Sequence, residues 1–360
     1  MQCIEHNTGA PLIGWDVGGA HVKASLLVDG AIHDVAQWPA PLWQGLEHLD
    51  AAIDAARARW PDFARARHAL TMTAEMTDLF PDREAGVLGL VDRLATRLGP
   101  GLHFYAGDAG WPTAAEAGVH WRAIASANWL ATAHQVGTRY PDALLVDIGS
   151  TTTDLIPVVG GQPRPRGRCD ADRLVSGELV YLGVVRTPLC ALARQISFDG
   201  RIRNVMNEWF ATSADLFRLT GELDPGHDQQ PTSDGAGKDE AATCRRLARM
   251  IGMDARDADP GTWREFATRW REAMVDEIAR HATRVAHDSG LPVNAPVIGA
   301  GCGLFLGREF AARARRAFVP FHQMAALATT APPGTAAWVD ICAPSAALVL
   351  LLAQRSQACG

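Results

Sequence analysis

The chain lacks any CxxC pair, although it has seven cysteines spread between Cys3 and Cys359. An odd number at wide spacing predicts neither a disulfide framework nor a zinc knuckle, and it suits a reducing cytoplasm. An excess of positive charge is also lacking, because the formal net charge is −6, which argues against a nucleic-acid partner. The longest late apolar run, 346–353, is too short to span a bilayer, and the N-terminal residues contain no apolar signal core. We therefore expect no membrane partner and a cytoplasmic location.

What remains is an ordinary globular composition, with 48% hydrophobic and 21% charged residues. A length of 360 residues allows about two domains.

The chemistry-bearing residues concentrate in the segment 144–158, which reads LLVDIGSTTTDLIPV. Two apolar runs flank a polar turn, and this pattern predicts a β-hairpin. Gly149 lets the backbone approach a ligand closely. Backbone amides and hydroxyls suit phosphate oxygens, and the hydroxyls belong to Ser150, Thr151, Thr152 and Thr153. Asp147 and Asp154 would repel a bare phosphate, so they predict a phosphate that carries a hard cation such as Mg²⁺.

The same pattern occurs earlier, in the segment 13–27, which reads IGWDVGGAHVKASLL. Aligning the two segments places Asp16 over Asp147, Gly18 over Gly149, Gly19 over Ser150 and Lys23 over Asp154. A repeated hairpin that carries a loop implies a duplicated domain with a ligand in the cleft between the copies. The alternative is two unrelated β-turns.

A third element follows at 296–303, where a short apolar strand runs into a glycine-rich turn formed by Gly299, Ala300, Gly301, Cys302 and Gly303. Glycines that merely allow close packing of a strand and a helix are the alternative here. The three elements, in this order, resemble the actin/sugar-kinase/heat-shock-protein superfamily. The resemblance implies an α/β fold of two RNase H-like domains with a ligand cleft between them. Its hairpin loops hold phosphates, and its late glycine turn holds a nucleoside.

The corresponding domain prediction places an N-terminal domain at 1–140 and a C-terminal domain at 141–345. A helical insertion is expected around 200–290, and 346–360 forms the end of a helix and a tail. Apolar spacing predicts helices over 119–136, 204–219 and 345–353, and a strand over 177–187. His134 is interpreted as a surface residue of the first of these helices, with a catalytic role as the minor alternative. The polar stretch 221–239 predicts a lid, a binding loop or disorder.

Longer motifs resemble one family more closely, nearly from end to end. They are TMTAEMTDLFPDREAGV (71–87), AGDAGW (106–111), ASANWLATA (125–133), VDIGSTTTDLIPV (146–158), GELVYLGVVRTP (177–188), ATSADLFRLTGEL (211–223) and GAGCG (299–303). They are similar to the hydantoinase/oxoprolinase-related family of tetrahydromethanopterin-linked one-carbon transfer proteins. Archaeal members are assigned to methanofuran biosynthesis. There, an aminomethyl-furanmethyl diphosphate is joined to the phenol of glutamyl-tyramine, which gives an aryl ether and diphosphate. Bacterial members occur in methylotrophs and serve a variant cofactor, methylofuran.

The resemblance implies a transferase of small molecules that uses Mg²⁺ and for which ATP is not expected. Diphosphate would be held by the loops 149–153 and 18–19 and by Lys23, and the cation by Asp16, Asp147 or Asp154. Because a phenol ionises near pH 10, a base is required, and the candidates are Asp154, Asp172 and Glu178. Arg186 would pair with a carboxylate or with diphosphate. The acceptor is a tyramine or a tyrosine conjugate, and a homo-oligomer is compatible with the sequence.

Two other functions remain open at this point. One is an ATP-dependent small-molecule kinase or hydantoinase-like hydrolase of the same superfamily. The other is a regulator that binds a nucleotide without catalysis. Turnover of bound ATP separates these two functions.

Overall fold

A computed structural model describes residues 9–99 and 101–358. They form two compact units. The first unit extends to Ala143 and also contains Val158–Arg164 and the chain from Pro320 onward; the second contains Leu144–Pro157 and Pro165–Val319. The chain thus returns to the first unit at Pro320, whereas the predicted boundary lies at 345.

The first unit alternates strands and helices. Its elements up to the unit boundary are β1 (Leu12–Val17), β2 (His21–Val28), β3 (Ala31–Pro39), α1 (Glu47–Arg59), β4 (Arg67–Met72), α2 (Arg83–Leu98), β5 (Leu102–Phe104), α3 (Ala117–Ile124) and α4 (Asn128–Gly137). The strands form one sheet in the order β3-β2-β1-β4-β5. β1, β2 and β3 are antiparallel neighbours, and β4 and β5 extend the sheet in parallel.

The second unit contains a helical segment, 213–288, between two of its strands. Its elements are β6 (Ala143–Ile148), β7 (Thr153–Val159), β8 (Gln162–Pro163), α5 (Asp170–Ser176), β9 (Leu179–Val180), α6 (Leu189–Leu192), β10 (Gln195–Phe198), β11 (Arg201–Asn204), α7 (Ser213–Thr220), α8 (Glu240–Arg249), α9 (Pro260–Asp288), β12 (Val297–Ala300), α10 (Leu304–Arg313) and β13 (Phe318–Pro320). The end of β7 and β8 belong to the first unit. The chain ends with α11 (Thr335–Ile341) and α12 (Ala343–Ala358), also in the first unit.

The second sheet repeats the strand order of the first. Its strands follow the order β13-β12-β6-β7-β8, with β12 parallel to β6. Reading it from β8 gives a meander of three consecutive strands extended by the fourth and fifth, as in β3-β2-β1-β4-β5. This repeat confirms the predicted α/β class and the two RNase H-like domains. The ligand cleft stays a prediction.

The two faces of the first sheet carry different partners. Successive side chains of a strand alternate between faces, so Ile13, Trp15 and Val17 share one face and pack with buried residues of α1 and α2. The other face carries Asp16 and is covered by α12, which packs on β1, β4 and α4. A Cβ on Gly14 would lie 2.1 Å from the Ser345 carbonyl oxygen, so α12 approaches β1 at backbone distance.

A buried histidine on β4 makes the stability of the first unit sensitive to acid. His68 is 3% exposed, and its Nδ1 accepts the Trp15 indole N–H at 3.1 Å. Burial, with a smaller contribution from Arg57, lowers the pKa of His68 to about 4. Below pH 6.5 the unfolded chain therefore gains a proton that the folded chain does not accept until about pH 4.

We expect His68 to remove about 3 kcal/mol of stability as the pH falls from 6.5 to 4. His68→Gln keeps an acceptor for Trp15 but does not titrate, so its stability should lose that part of the pH dependence. Urea unfolding of both proteins at closely spaced pH values measures the difference in slope. Parallel curves between pH 6.5 and 4 would contradict the assignment.

Both predicted hairpins and the C-terminal helix are confirmed, but three other predictions are wrong. The helix predicted over 119–136 is two helices, α3 and α4, because Ser126 between them adopts φ +50°. The strand predicted over 177–187 is limited to β9, and a turn follows it. The helix predicted over 204–219 begins at Ser213, and a two-stranded hairpin, β10 and β11, precedes it.

The irregular stretch 221–239 is fixed by ion pairs to buried arginine. Arg246, with no exposed surface, contacts Asp215 at 2.8 Å and Asp234 at 3.1 Å. Arg218 holds Asp228 through two hydrogen bonds of 2.7 and 2.9 Å. The loop is therefore an ordered part of the second unit.

The five cysteines between residues 9 and 358 form no disulfide bond with one another. Cys3, Cys359 and the first eight residues, for which no signal core is predicted, lie outside the described part of the chain. Over 9–99 and 101–358, no single helix is long and apolar enough to cross a membrane. α11 and α12 meet that test only as a pair bent by 95°, and Ala346, Leu348 and Val349 of α12 are buried.

Candidate functional site

The turn after β6 carries the predicted phosphate-binding residues. The Gly149 N–H donates to the Thr152 carbonyl at 2.8 Å and closes the turn. Ser150, Thr151 and Thr152 are half-buried at its tip, with the Ser150 and Thr151 hydroxyls 3.5 Å apart. Three hydroxyls on one tight turn form a compact set of donors for an anion.

A second segment holds this turn from behind. The Val184 N–H donates to the Gly149 carbonyl at 3.0 Å, and the N–H groups of Val185 and Arg186 donate to the Ser150 carbonyl at 3.0 and 2.8 Å. A Cβ on Gly183 would lie 2.4 Å from the Ser150 carbonyl carbon. The segment predicted as a strand thus forms the support of the turn, and Gly183 is required by the close contact of the two backbones.

We expect Gly183→Ala to displace the turn and to cost about 1–3 kcal/mol, because a methyl group cannot fit at a backbone contact of this distance. Gly307→Ala in α10 is the matched control, since its Cβ would meet its nearest side chain at an ordinary 3.7 Å. Chemical unfolding, with titration of diphosphate into both variants, measures the two effects. Unchanged stability and diphosphate affinity in Gly183→Ala would contradict the support role.

Two other predicted residues lie next to the turn with different surroundings. Thr153 is fully buried, and its hydroxyl donates to the Leu182 carbonyl at 2.7 Å. This hydroxyl therefore binds the protein backbone and does not belong to the half-buried set at the tip of the turn. Arg186 is exposed, and its Nη1 lies 3.5 Å from the Thr151 hydroxyl. The guanidinium of Arg186 therefore lies where it can reach an anion above the turn.

Asp154 is part of a buried ion pair. Arg173 of α5 is 1% exposed and donates to Asp154 Oδ1 at 2.6 Å and to the Glu178 carbonyl at 3.2 Å. Asp170 lies 3.8 Å from the same guanidinium. The start of β7 is thus joined to α5 through Arg173, a residue that no sequence motif marks.

The other two predicted bases have contacts of their own. Asp172 is exposed, and its Oδ2 accepts the Cys169 thiol at 3.2 Å. Glu178 is 1% exposed, and its carboxylate accepts three hydrogen bonds. They come from the Arg166 N–H at 2.7 Å, the Gly167 N–H at 3.0 Å and the Ser176 hydroxyl at 2.8 Å. Glu178 therefore fixes the loop before α5.

The glycine turn after β12 lies against the end of β6. Ala300 pairs with Asp147 in the parallel ladder, and the Gly303 N–H donates to the Ile148 carbonyl at 2.8 Å. Gly301 has φ +83°, and a Cβ there would lie 2.1 Å from the Ile148 carbonyl and 2.6 Å from Asp147 Oδ1. Gly299 likewise leaves space for the Phe318 ring. Close packing explains these glycines, and the turn borders the Asp147 carboxylate, with Cys302 half-exposed within it.

The first unit presents a shorter version of the same loop. Asp16, 4% exposed, pairs with Lys23 across β1 and β2, with Lys23 Nζ 3.8 Å from its Oδ2. The Gly18 N–H donates to the His21 carbonyl at 3.0 Å and closes the turn. Lys23 occupies the position in this hairpin that Asp154 has in the second hairpin. The loop of the first unit therefore offers a positive charge beside its amides.

A buried carboxylate that no sequence motif singles out lies next to this loop. Glu75 is 1% exposed, and its Oε1 accepts the Ser126 hydroxyl at 2.7 Å. A Cβ on Gly86 would lie 2.3 Å from the Glu75 carbonyl oxygen, and Ser126 is the residue with φ +50°. A strained residue and a glycine contact around one carboxylate are typical of a functional position. The polar stretch 73–83 in the sequence was the available signal.

The residues present fit a magnesium ion that binds to the protein together with a substrate phosphate. Among residues 9–99 and 101–358, no group of three or more His, Cys, Asp or Glu side chains is arranged to hold a metal. Mg²⁺ commonly binds through one or two carboxylates, waters and substrate phosphates. The Asp147 carboxylate, half-buried beside a turn of hydroxyl oxygens, supplies such a partial set of ligands.

Comparison with known proteins identifies relatives over most of the chain. The model of the hydantoinase/oxoprolinase family matches residues 67–337. A protein of Methanocaldococcus jannaschii named (4-{4-[2-(gamma-L-glutamylamino)ethyl]phenoxymethyl}furan-2-yl)methanamine synthase is 29% identical over 276 residues, which is 76% of this chain and 82% of that protein. A protein of the same name from Methanococcus vannielii is 31% identical over 150 residues, 42% of this chain and 67% of that protein.

Among solved structures, component A of the (R)-2-hydroxyglutaryl-CoA dehydratase of Acidaminococcus fermentans has a TM-score of 0.42. It is 10% identical, and the match covers 96% of this chain and 99% of that one.

Proposed function

Because the chain belongs to the hydantoinase/oxoprolinase family, with relatives named as synthases of a (phenoxymethyl)furan methanamine, we propose that it forms the aryl ether of methanofuran or methylofuran. The donor is an aminomethyl-furanmethyl diphosphate, and the acceptor is the phenol of a glutamyl-tyramine or tyrosine conjugate. The observation that carries the proposal is the 29% identity over 276 residues to the M. jannaschii synthase.

The proposed reaction exchanges one carbon–oxygen bond for another. The bond between the furan-methyl carbon and diphosphate breaks, and its electron pair leaves with diphosphate. The phenol oxygen bonds to the same carbon, and its proton passes to a base. The furan ring delocalises positive charge at the methyl carbon, so stabilisation of the departing diphosphate is the main task of the protein.

The two hairpin loops are the proposed diphosphate ligands. In the second unit, the hydroxyls of Ser150, Thr151 and Thr152 and the guanidinium of Arg186 lie within one turn and its support. In the first unit, Gly18, Gly19 and Lys23 supply amides and a charge. We assign the glycine turn 299–303 to substrate contacts beside Asp147.

Magnesium is the proposed cofactor, with Asp147 as its ligand in the second unit and Asp16 in the first. When bound, it would neutralise charge that develops on the leaving diphosphate. ATP has no part in the proposed reaction.

Asp154 is the proposed acceptor of the phenol proton. It lies at the end of the hydroxyl-rich turn, whereas Asp172 is exposed on α5 and Glu178 is engaged by three donors. Arg173 holds the Asp154 carboxylate in place.

The test incubates the purified protein with magnesium, the furan diphosphate and a tyramine conjugate, without ATP. We expect diphosphate release in step with a product that has the mass of the ether. ATP cleavage stimulated by a small metabolite, without ether, would identify a kinase. Tight nucleotide binding with no turnover of either kind would identify a regulator.

A further inference from the structure

The aromatic side chain of Tyr181 belongs to the segment that runs beside the hydroxyl-rich turn of the second unit. β9 pairs with β7 in antiparallel register, and Val180 lies opposite Thr153. The next position in this register places Tyr181 opposite Thr152, where the Cα atoms of facing residues are roughly 4.5–5.5 Å apart. The Leu182 carbonyl accepts the Thr153 hydroxyl at 2.7 Å, which keeps the chain against the turn on the other side of Tyr181.

The Tyr181 side chain lies on the open face of this pair of strands. Successive side chains of a strand alternate between faces. Val180 and Leu182 are 6% and 8% exposed, whereas Tyr181 is 63% exposed. Leu179 lies opposite Asp154, so Tyr181 is the diagonal neighbour of Asp154 on the same face, a separation that an aromatic side chain can reach across. The ring therefore lies between the turn and the proposed base.

Core packing does not explain an aromatic ring at this position. A side chain with 63% of its surface exposed adds little to the core. The contacts that support the turn come from the backbone of 184–186, so they place no requirement on the side chain at 181. Isolated apolar side chains are common on protein surfaces, but Tyr181 lies beside a turn that carries three hydroxyls and the Arg186 guanidinium.

The furan ring of the donor is the substrate group that meets this position. The ring is one methylene group away from the diphosphate, so a diphosphate held by the turn places the furan ring directly beside the turn. A phenol that attacks the methyl carbon opposite the leaving diphosphate lies further from the turn. Tyr181, level with Thr152, is therefore closer to the donor ring than to the acceptor ring.

We propose that the Tyr181 ring packs against the furan ring of the donor and stabilises the positive charge that develops there as diphosphate leaves. Aromatic pairs stabilise a complex beyond the area that they bury, and the negative face of a tyrosine ring attracts a cation. Tyr181 forms no bond: the electron pair of the broken bond leaves with diphosphate, and the phenol oxygen supplies the new pair. The inference rests on the proposed function in one respect, namely that the diphosphate carries a furan ring.

Binding of an unreactive analogue tests the contact without turnover. Furan-3-ylmethyl phosphonophosphate has a carbon–phosphorus bond in place of the scissile carbon–oxygen bond, and cyclopentylmethyl phosphonophosphate differs from it only in the ring. Calorimetric titration of both into the full-length protein, with magnesium, should show a preference of about fivefold for the furan probe. Tyr181→Phe should keep this preference and Tyr181→Leu should remove it. Inorganic diphosphate should bind all three proteins within twofold, because the turn stays intact.

The matched control is Tyr140→Leu. Tyr140 precedes β6, whereas the turn follows β6, so the same substitution is made at the opposite end of the strand. Tyr140→Leu should keep the preference for the furan probe. Equal affinities of the two probes for the unaltered protein, or a furan preference that survives in Tyr181→Leu, would overturn the proposal.

Steady-state kinetics test the stabilisation of charge separately. Tyr181→Leu should lower kcat about tenfold, with KM for the phenol substrate unchanged. Phenylalanines with one, two and three ring fluorines at position 181 should lower kcat progressively, because each fluorine weakens the negative face of the ring at nearly constant shape. A Tyr181→Leu protein in which only the KM for the phenol rises would place the acceptor at this ring and contradict the assignment.

Failure of the inference and failure of the proposed function give different results. Ether formation with an unaltered kcat in Tyr181→Leu would refute the inference and leave the function intact. A furan preference that is lost in Tyr181→Leu, with no ether formed by the unaltered protein, would refute the function and leave the ring contact intact.

Discussion

Asp147→Asn is expected to lower magnesium-dependent ether formation by about 10²–10³-fold while the protein stays folded. The substitution removes one charge with little change in shape, at a carboxylate that lies between the hydroxyl-rich turn and Gly301. Loss of one group that stabilises developing charge in a site usually has an effect of this size. Initial rates as a function of magnesium concentration, with calorimetric titration of magnesium diphosphate, measure it.

The matched control is Asp276→Asn, an exposed aspartate on α9 in the same unit. It should leave both the rate and the binding isotherm within twofold of the unaltered protein. If Asp147→Asn binds magnesium diphosphate as the unaltered protein does, the turn after β6 is not the diphosphate site.

Arg173→Met is expected to destabilise the second unit by about 3 kcal/mol. Arg173 is 1% exposed, and its removal leaves the Asp154 carboxylate, which is 13% exposed, without its 2.6 Å ion-pair partner. Breaking a buried pair from one side is costly because the remaining charge stays desolvated. Urea unfolding measures the loss, and Arg256→Met at an exposed arginine is the control.

The double variant Arg173→Met/Asp154→Asn separates this cause from a general packing defect. Removing both charges should recover more than half of the lost stability, since the Asp154 charge is no longer left buried without Arg173. Additive losses in the double variant would contradict the ion-pair explanation.

The activity of Asp154→Asn, measured in a folded protein, tests the role of Asp154 as the base. A loss of activity of less than about tenfold would exclude that role.

The hairpins and the duplicated α/β fold were predictable because the signals are local. Apolar runs bounded by turn residues at 13–27 and 144–158 predict both the strands and the loop between them. The C-terminal helix was predictable for the same reason, since its apolar run is continuous. These features need no information from distant parts of the chain.

What the sequence did not predict depends on contacts between distant residues. The predicted helix is interrupted at Ser126, whose hydroxyl donates to Glu75, 51 residues earlier. No local pattern predicts the positive φ of Ser126. The segment 177–187 has the apolar content of a strand, yet Gly183 packs on the turn at 150–151 and the chain bends. The helical spacing around His134 predicts a surface residue, whereas in the fold its ring contacts the Tyr105 hydroxyl. Tertiary packing decided each of these cases.

The most direct test of the central claim follows the phenol oxygen. A tyramine conjugate labelled with ¹⁸O in the phenol is incubated with the protein, magnesium and the furan diphosphate, and both products are analysed by mass spectrometry. Bond formation at the furan-methyl carbon predicts an ether that keeps all of the label and diphosphate that contains none. Label found in a phosphorylated phenol, with no labelled ether, would show phosphoryl transfer and contradict the account.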